Sequence, residues 1–343
     1  MTMALQSYQE VIAYLAQKHR QKHLLLGNGF SMSYDPEIFS YNALNKFIDK
    51  LNNPLITKLF NIINTKNFEL VMQSLDNFCE LANAFSSDQE FIDKIEEASD
   101  SLKHSLIDAV KSLHPEHVFK VSDDKSQQCA SLLKVYLQDG GNIFTTNYDI
   151  LLYWVLMRNK VPNAIDGFGR EVEHLSYNEE EMEWSELIWG PNKPKQNVHY
   201  VHGALPLFDA GHRVVKEEYN GSFILENIKK RVAKKEYPIF VTAGNAEEKL
   251  SHILHNQYLT HCYDKLSNIT GSLVTFGFNF GEYDDHIIEA INNACFFSDD
   301  RKGKLYSIYI GVYSANDEKH INKIKSKFKC KVNLFDAKTA QFW

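Results

Sequence analysis

GNIFTTNYDILLYWV, residues 141–155, reads as a buried β-strand that runs into a helix. Asn142, Ile143 and Phe144 lead into Thr145, Thr146 and Asn147; Tyr148, Asp149 and the apolar run 150–155 then open a helix. Open α/β sheets place ligand chemistry where polar groups gather at the carboxyl end of a strand and face a helix start. Three further stretches have the same form: LLLGNGFS (24–31), YVHGAL (200–205) and VTFGFNFGEYDDH (274–286). The expectation is that all four strand ends meet around one ligand.

Outward from this stretch, helix and strand signals alternate with no internal repeat. Leu5, Tyr8, Val11, Ile12 and Leu15 recur at helical spacing, predicting a helix over 4–20, and His23 to Leu26 follow as a short buried strand. Residues 40–136 read as about five helices separated by turn clusters such as NNP (52–54) and HPEH (114–117). A plain crossover needs one helix, so most of this segment is expected to be an inserted helical subdomain acting as scaffold, lid or assembly surface. Residues 159–196 look irregular and polar, and 197–209 read as one strand. Residues 237–244 read as another strand, 246–268 as a helix, and 304–313 and 331–335 as final strands. The alternation implies an α/β fold with a doubly wound, mostly parallel Rossmann-like sheet. The expected division is a Rossmann domain of 1–39 and 137–343 around a helical insert of 40–136.

The bulk numbers fit that fold. The 343 residues are 44% apolar and 24% charged, enough for a sizeable core. A net charge of −7 and a pI of about 6.1 give no basic field, so nucleic acid is not an expected partner. Five scattered cysteines include no CxxC pair, which disfavours a zinc knuckle and suits core residues in a reducing cytoplasm. The start MTMALQSYQEVIAYL lacks the pattern of a signal peptide, and no run of about 18 apolar residues suggests a membrane span.

The four stretches offer backbone donors near Gly27, Asn28, Gly29 and Ser31, an amide and hydroxyl at Asn147 and Thr145, carboxylates at Asp149 and Asp284, and an imidazole at His202. With Gly277 and Asn279 this inventory suits a dinucleotide. Gly29 is followed by Phe30, Ser31 and Met32, so the GxGxxG fingerprint of hydride-transfer enzymes fails. Each residue also has a plainer reading: Asn147 as a helix cap, His202 as a hydrogen-bonded core histidine, Asp284 and Asp285 as acids at a helix start. His199 reads as structural.

Taken in order, GNGFS, TTNYD, HG and FGFNFGEYDDHI resemble the motifs of the sirtuin-like NAD-binding fold, in particular bacterial sirtuin-like proteins of phage defence and a related bacterial family of unassigned function. The resemblance covers about residues 20–32, 138–158 and 197–312. It implies that Gly27, Gly29 and Ser31 contact the NAD phosphates, that Asn147 contacts the nicotinamide ribose, and that Asp149 lies beside the nicotinamide amide. It further implies that His202 is the base acting through ribose hydroxyls, and that Gly277, Asn279 and Asp284 bind the adenosine half. Departures are Asn28 in place of a small Ala, Ser40 after Phe39 where the family has Phe-Arg, Thr146 where deacetylases have Gln, and the missing zinc cysteines. The resemblance therefore implies NAD as substrate without a metal. The expected activity is cleavage to nicotinamide and ADP-ribose by a cytoplasmic, regulated effector of antiviral defence, homo-oligomeric and working with a separately encoded ATPase or regulatory protein. A non-catalytic NAD or ADP-ribose sensor is the alternative, and an NAD-dependent deacylase a further one.

Overall fold

A computed structural model describes residues 5–36, 58, 61–62, 68–85, 88–113, 121–170, 186–218, 224–241, 245–296 and 303–343. Its centre is a seven-stranded sheet of β1 (Gln6–Ser7), β2 (Lys22–Leu26), β3 (Ile143–Thr145), β6 (Val198–Tyr200), β10 (Gly271–Phe276), β11 (Leu305–Val312) and β12 (Lys331–Asp336). Every pairing in it is parallel, in the order β1-β12-β11-β10-β2-β3-β6. All residues of β2 and β10 are buried, which is why their sequences are near-continuous apolar runs rather than alternating ones. From β2 the chain winds out through β3 to β6, then returns to β10 on the other side and winds out through β11 to β12. Leaving aside the two-residue β1, this is the 3-2-1-4-5-6 order of dinucleotide-binding sheets, with the winding direction reversing between β2 and β10. The fold is α/β and Rossmann-like.

The central sheet matches the expected parallel one, but it is not the whole β-structure. A second, antiparallel sheet has the order β4-β5-β8-β7-β9, from β4 (Phe168–Arg170), β5 (Leu187–Trp189), β7 (Gly203–Asp209), β8 (Val214–Lys216) and β9 (Tyr237–Phe240). Two of its strands lie in 159–196, expected to be irregular; at three residues each they are too short to show a period. The single strand expected over 197–209 is two strands in different sheets. They are divided by a turn at Val201 and His202, and Gly203, at φ +74°, lets the chain swing from one sheet to the other. The apolar run at 237 pairs with β7, because apolarity reports burial and not which strand lies alongside. The helix expected over 246–268 is also two, Ala246–His255 and Gln257–Ser267. It is broken at Asn256, whose Oδ1 accepts from the Tyr258 and Leu259 amides at 3.0 and 3.2 Å.

Ser7 and Glu10 form a capping box that starts α1 (Tyr8–Gln17), inside the span expected to be helical. The short α2 (Asn28–Tyr34) follows β2 directly. Of the helices expected in 40–136, those at 42–51 and 53–64 fall almost wholly outside the described residues. The others are α3 (Phe68–Phe85), α4 (Gln89–Leu113) and α5 (Asp123–Leu137). α5 packs on β2, β3 and α6 (Leu151–Arg158), so it covers the central sheet. α3 and α4 pack on each other; α3 also touches β9, and α4 touches α7 (Ile224–Ala233). This helical pair therefore belongs spatially with the antiparallel sheet. The remaining helices are α8 (Ala246–His255), α9 (Gln257–Ser267), α10 (Asp285–Ala294) and α11 (Ala315–Ile324). The last two residues fold back onto α2. Phe342 packs on Phe276 and Phe30 with ring centroids 4.5 and 5.6 Å apart, and Trp343 Nε1 donates to the Phe30 carbonyl at 2.9 Å. Among the described residues no helix is long and apolar enough to cross a membrane.

Candidate functional site

Tyr200, Thr145, Leu26 and Phe276 are direct neighbours across β6, β3, β2 and β10. The four strands thus end in one row, and the four polar stretches leave the sheet side by side at the reversal of winding.

The glycines interlock at this edge. Gly27 N–H donates to Phe276 O at 3.0 Å and Gly29 N–H to Gly277 O at 2.8 Å. A Cβ on Gly27 would lie 2.6 Å from Gly277 O, and one on Gly277 would lie 2.5 Å from the Phe30 nitrogen. Gly277 also has φ +68°. The GNG turn and the turn after β10 are therefore pressed backbone to backbone, which by itself requires Gly27, Gly29 and Gly277 to lack side chains. Asn28, the first residue of α2, is half-buried between the glycines.

Asn147 ties the β3 loop to this turn. Its Nδ2 donates to Gly27 O at 3.0 Å and to Ser31 Oγ at 2.9 Å, and its N–H donates to Thr145 Oγ1 at 3.0 Å. Ser31 in turn donates to Asp149 Oδ2. Asn147 does not cap the next helix. That contact comes from Asp149 Oδ1, which accepts from the Leu151 amide at 3.0 Å. Burial pushes the Asp149 carboxyl up to about 6, against the opposing pull of its bonds from Ser31 and Leu151. Gly27, Ser31, Asn147 and Asp149 thus form one buried network spanning β2 and β3.

His202 lies in the turn after β6, 5% exposed, with Nε2 2.8 Å from His286 Nε2. The rings are near parallel, 22° between planes and 5.1 Å between centroids. Burial, then the neighbouring His286, Lys249 and His252, drives His202 well below the usual histidine range. Burial and Lys249 push His286 down to about 3. Both rings are therefore neutral near pH 7. His286 stands in the quoted FGFNFGEYDDH stretch but had no role assigned from sequence; its partner lies 84 residues away, beyond any local pattern. Lys249 was likewise unmarked. Its Nζ sits 3.1 Å from Asp284 Oδ1, while Asp284 Oδ2 accepts from the Gly281 amide at 3.1 Å. Asp284 occupies the N-cap position of α10, its side chain making no bond to the helix amides, and Asp285 pairs with Lys327 at 2.7 Å. Asn279 is exposed, between buried Phe278 and Phe280. Phe280 takes the uncommon φ of +49° for a bulky residue, a backbone strain that collects at functional loops.

One sheet edge therefore gathers an amide, a serine hydroxyl, a carboxyl titrating near neutrality and an imidazole pair. Among the described residues no group of three or more His, Cys, Asp or Glu could hold a metal ion. A family model described as a domain of unknown function, DUF4917, matches residues 24–343. The chain belongs to the DUF4917 family. The match begins in β2 and takes in every residue of the edge just described, so the site lies inside the family domain. No curated protein matches the chain.

Proposed function

We propose that the protein binds NAD+ at this edge and hydrolyses its nicotinamide–ribose bond, as a regulated NAD-depleting effector of antiviral defence. The observation that carries the reading is the pairing of Asn147 and His202. They follow neighbouring strands, and both lie beside the reversal point of a sheet in the dinucleotide-binding order. The sirtuin-like motif set supports the same assignment of roles. In the reaction the C–N bond to nicotinamide breaks with both electrons leaving on nicotinamide. Water then forms the new bond to the ribose carbon and gives up a proton, leaving ADP-ribose. Oriented dipoles such as the Asn147 amide favour the cationic ribose transition state. His202, neutral at pH 7, takes a ribose hydroxyl proton as general base.

Incubation of the purified protein with NAD+, with nicotinamide followed by chromatography, tests the reading. Asn147→Ala and His202→Ala are each expected to lower release by about a hundredfold or more. Equal release from both variants and the parent would sink it. A second reading, an NAD or ADP-ribose sensor without turnover, is favoured by the engagement of Asn147 Nδ2 and His202 Nε2 in internal bonds. Recovery of intact NAD+ after tight calorimetric binding would select it.

A further inference from the structure

The resemblance of GNGFS to a phosphate-binding turn gives Ser31 to the NAD phosphates, but its hydroxyl is already engaged inside the fold. Ser31 is 0% exposed. Its Oγ accepts from Asn147 Nδ2 at 2.9 Å and donates to Asp149 Oδ2. A hydroxyl has one proton, and here Asp149 receives it. The oxygen can meet a phosphate only by giving up these buried partners.

Asn147 is fixed in turn, and geometry sets the direction of its amide. The atom 3.0 Å from Gly27 O must be the nitrogen, because a carbonyl oxygen only accepts. That nitrogen has two protons; the Gly27 carbonyl takes one and Ser31 Oγ the other. Gly27 and Ser31 lie on the same turn into α2, so the amide bridges the two sides of that turn. The Asn147 N–H donates to Thr145 Oγ1 at 3.0 Å, which holds the backbone as well. Among the described residues no donor meets Asn147 Oδ1, although the residue is only 8% exposed. The amide therefore offers a ligand its oxygen and not its nitrogen. An amide oxygen accepts from a hydroxyl and favours positive charge nearby; it has nothing to donate to a phosphate. At the far end, Asp149 Oδ1 accepts from the Leu151 amide at 3.0 Å at the start of α6, which leaves Oδ2 for Ser31.

We propose that Ser31 is a positioning residue and not a phosphate ligand: its hydroxyl, held by Asp149, takes the second proton of Asn147 Nδ2 and so locks the amide with Oδ1 turned toward the nicotinamide ribose. This rests on the NAD reading given above. Without the hydroxyl the amide keeps only its bond to Gly27 and can swing about it. The oxygen is then present but misplaced for the transition state.

Ser31→Ala removes the hydroxyl. Initial rates of nicotinamide release are expected to show kcat lowered roughly tenfold, the contribution of one net hydrogen bond, with the KM for NAD+ within about twofold of the parent. Loss of a phosphate contact would instead raise KM and keep kcat. Because Ser31 acts through the amide, the Asn147→Ala, Ser31→Ala double variant should stay within about twofold of Asn147→Ala alone. A further tenfold fall in the double variant overturns the proposal, as does a raised KM at unchanged kcat in Ser31→Ala. The amide can also be followed directly, without ligand. Nitrogen NMR of the labelled asparagine side chains should show both Asn147 Nδ2 protons hydrogen-bonded and slow to exchange in the parent. In Ser31→Ala one of them should move to the position of a free proton. A free Nδ2 proton in the parent overturns the proposal even where Ser31→Ala fails to fold. Absence of nicotinamide release from the parent removes the NAD reading and the ribose-facing role with it. Unchanged kcat and KM in Ser31→Ala beside an active parent overturn the role of Ser31 alone.

Discussion

The same four strands carry a buried polar chain at each end, and the two chains differ in kind. At the amino ends, Thr270 O accepts from His23 Nε2 at 2.8 Å, and His23 Nδ1 accepts from the Asn142 amide at 3.0 Å. Asn142 Oδ1 accepts from His199 Nε2 at 3.1 Å, and His199 Nδ1 accepts from Gln196 Nε2 at 3.2 Å. Gln196 Oε1 accepts from Trp189 Nε1 at 2.9 Å, which closes the chain. Each ring nitrogen has its partner, backbone groups set the His23 tautomer and side-chain amides that of His199, and Phe144 stacks on His199 at 4.8 Å. At the carboxyl ends the chain runs through loops instead, includes a carboxyl pushed up to about 6, and joins two imidazoles to each other rather than to strand backbone. Buried histidine alone therefore does not mark a site in this molecule. A chain that ends in strained loops and in groups able to exchange partners does.

The contrast can be broken experimentally, and the largest effect is expected at the loop end. Gly277→Ala must relieve a Cβ 2.5 Å from the Phe30 nitrogen and adopt φ +68°, so urea unfolding should show a loss of about 3–5 kcal/mol. A loss below about 1 kcal/mol would mean that the two turns are not locked together. Next comes acid. His23 falls from 6.5 to about 4 on folding, so the folded state binds fewer protons between those values. Its contribution is complete above pH 6.5 and is lost as pH falls toward 4, on the order of 3 kcal/mol. His199 and His286 shift in the same direction. Denaturant titrations from pH 7 to 4.5 that show no decline would contradict the neutral histidine chain.

Asn142→Leu should cost about 2 kcal/mol by stranding the His199 donor, yet leave NAD+ turnover per folded molecule within about twofold. A selective loss of turnover would make the amino-end chain part of the site. The smallest effect is expected at Asp149, whose sign is opposite. Its folded pKa of about 6 lies above the ordinary 3.8, so its contribution is full at low pH and disappears as pH rises through 6. Asp149→Asn should therefore steepen the loss of stability between pH 6 and 4. An unchanged slope would mean that Asp149 is not desolvated.

What could be read from sequence followed burial. LLL at 24–26 and the run at 271–276 announce strands because both faces are covered, and the polar residues just beyond them announce strand ends. The antiparallel sheet was hidden because its strands at 168, 187 and 214 have three residues each, and its partner choices lie in tertiary packing. Gly27, Gly29 and Gly277 were legible as special backbone positions, but not that they press on each other. Asn147 and His202 were legible as polar residues at strand ends. Their bonds to Ser31 and His286 were not, since each partner comes from another part of the chain.

The contact of Trp343 with Phe30 spans 313 residues of chain. It has a consequence for the order in which the molecule is made. The turn after β2 and the helix bearing Ser31 are synthesised long before the residues that clamp that helix. Long-range closures of this kind come late in folding. A nascent chain can thus hold most of its sheet while the helix at the site still lacks its clamp, and the edge reaches its final form only once Trp343 has emerged.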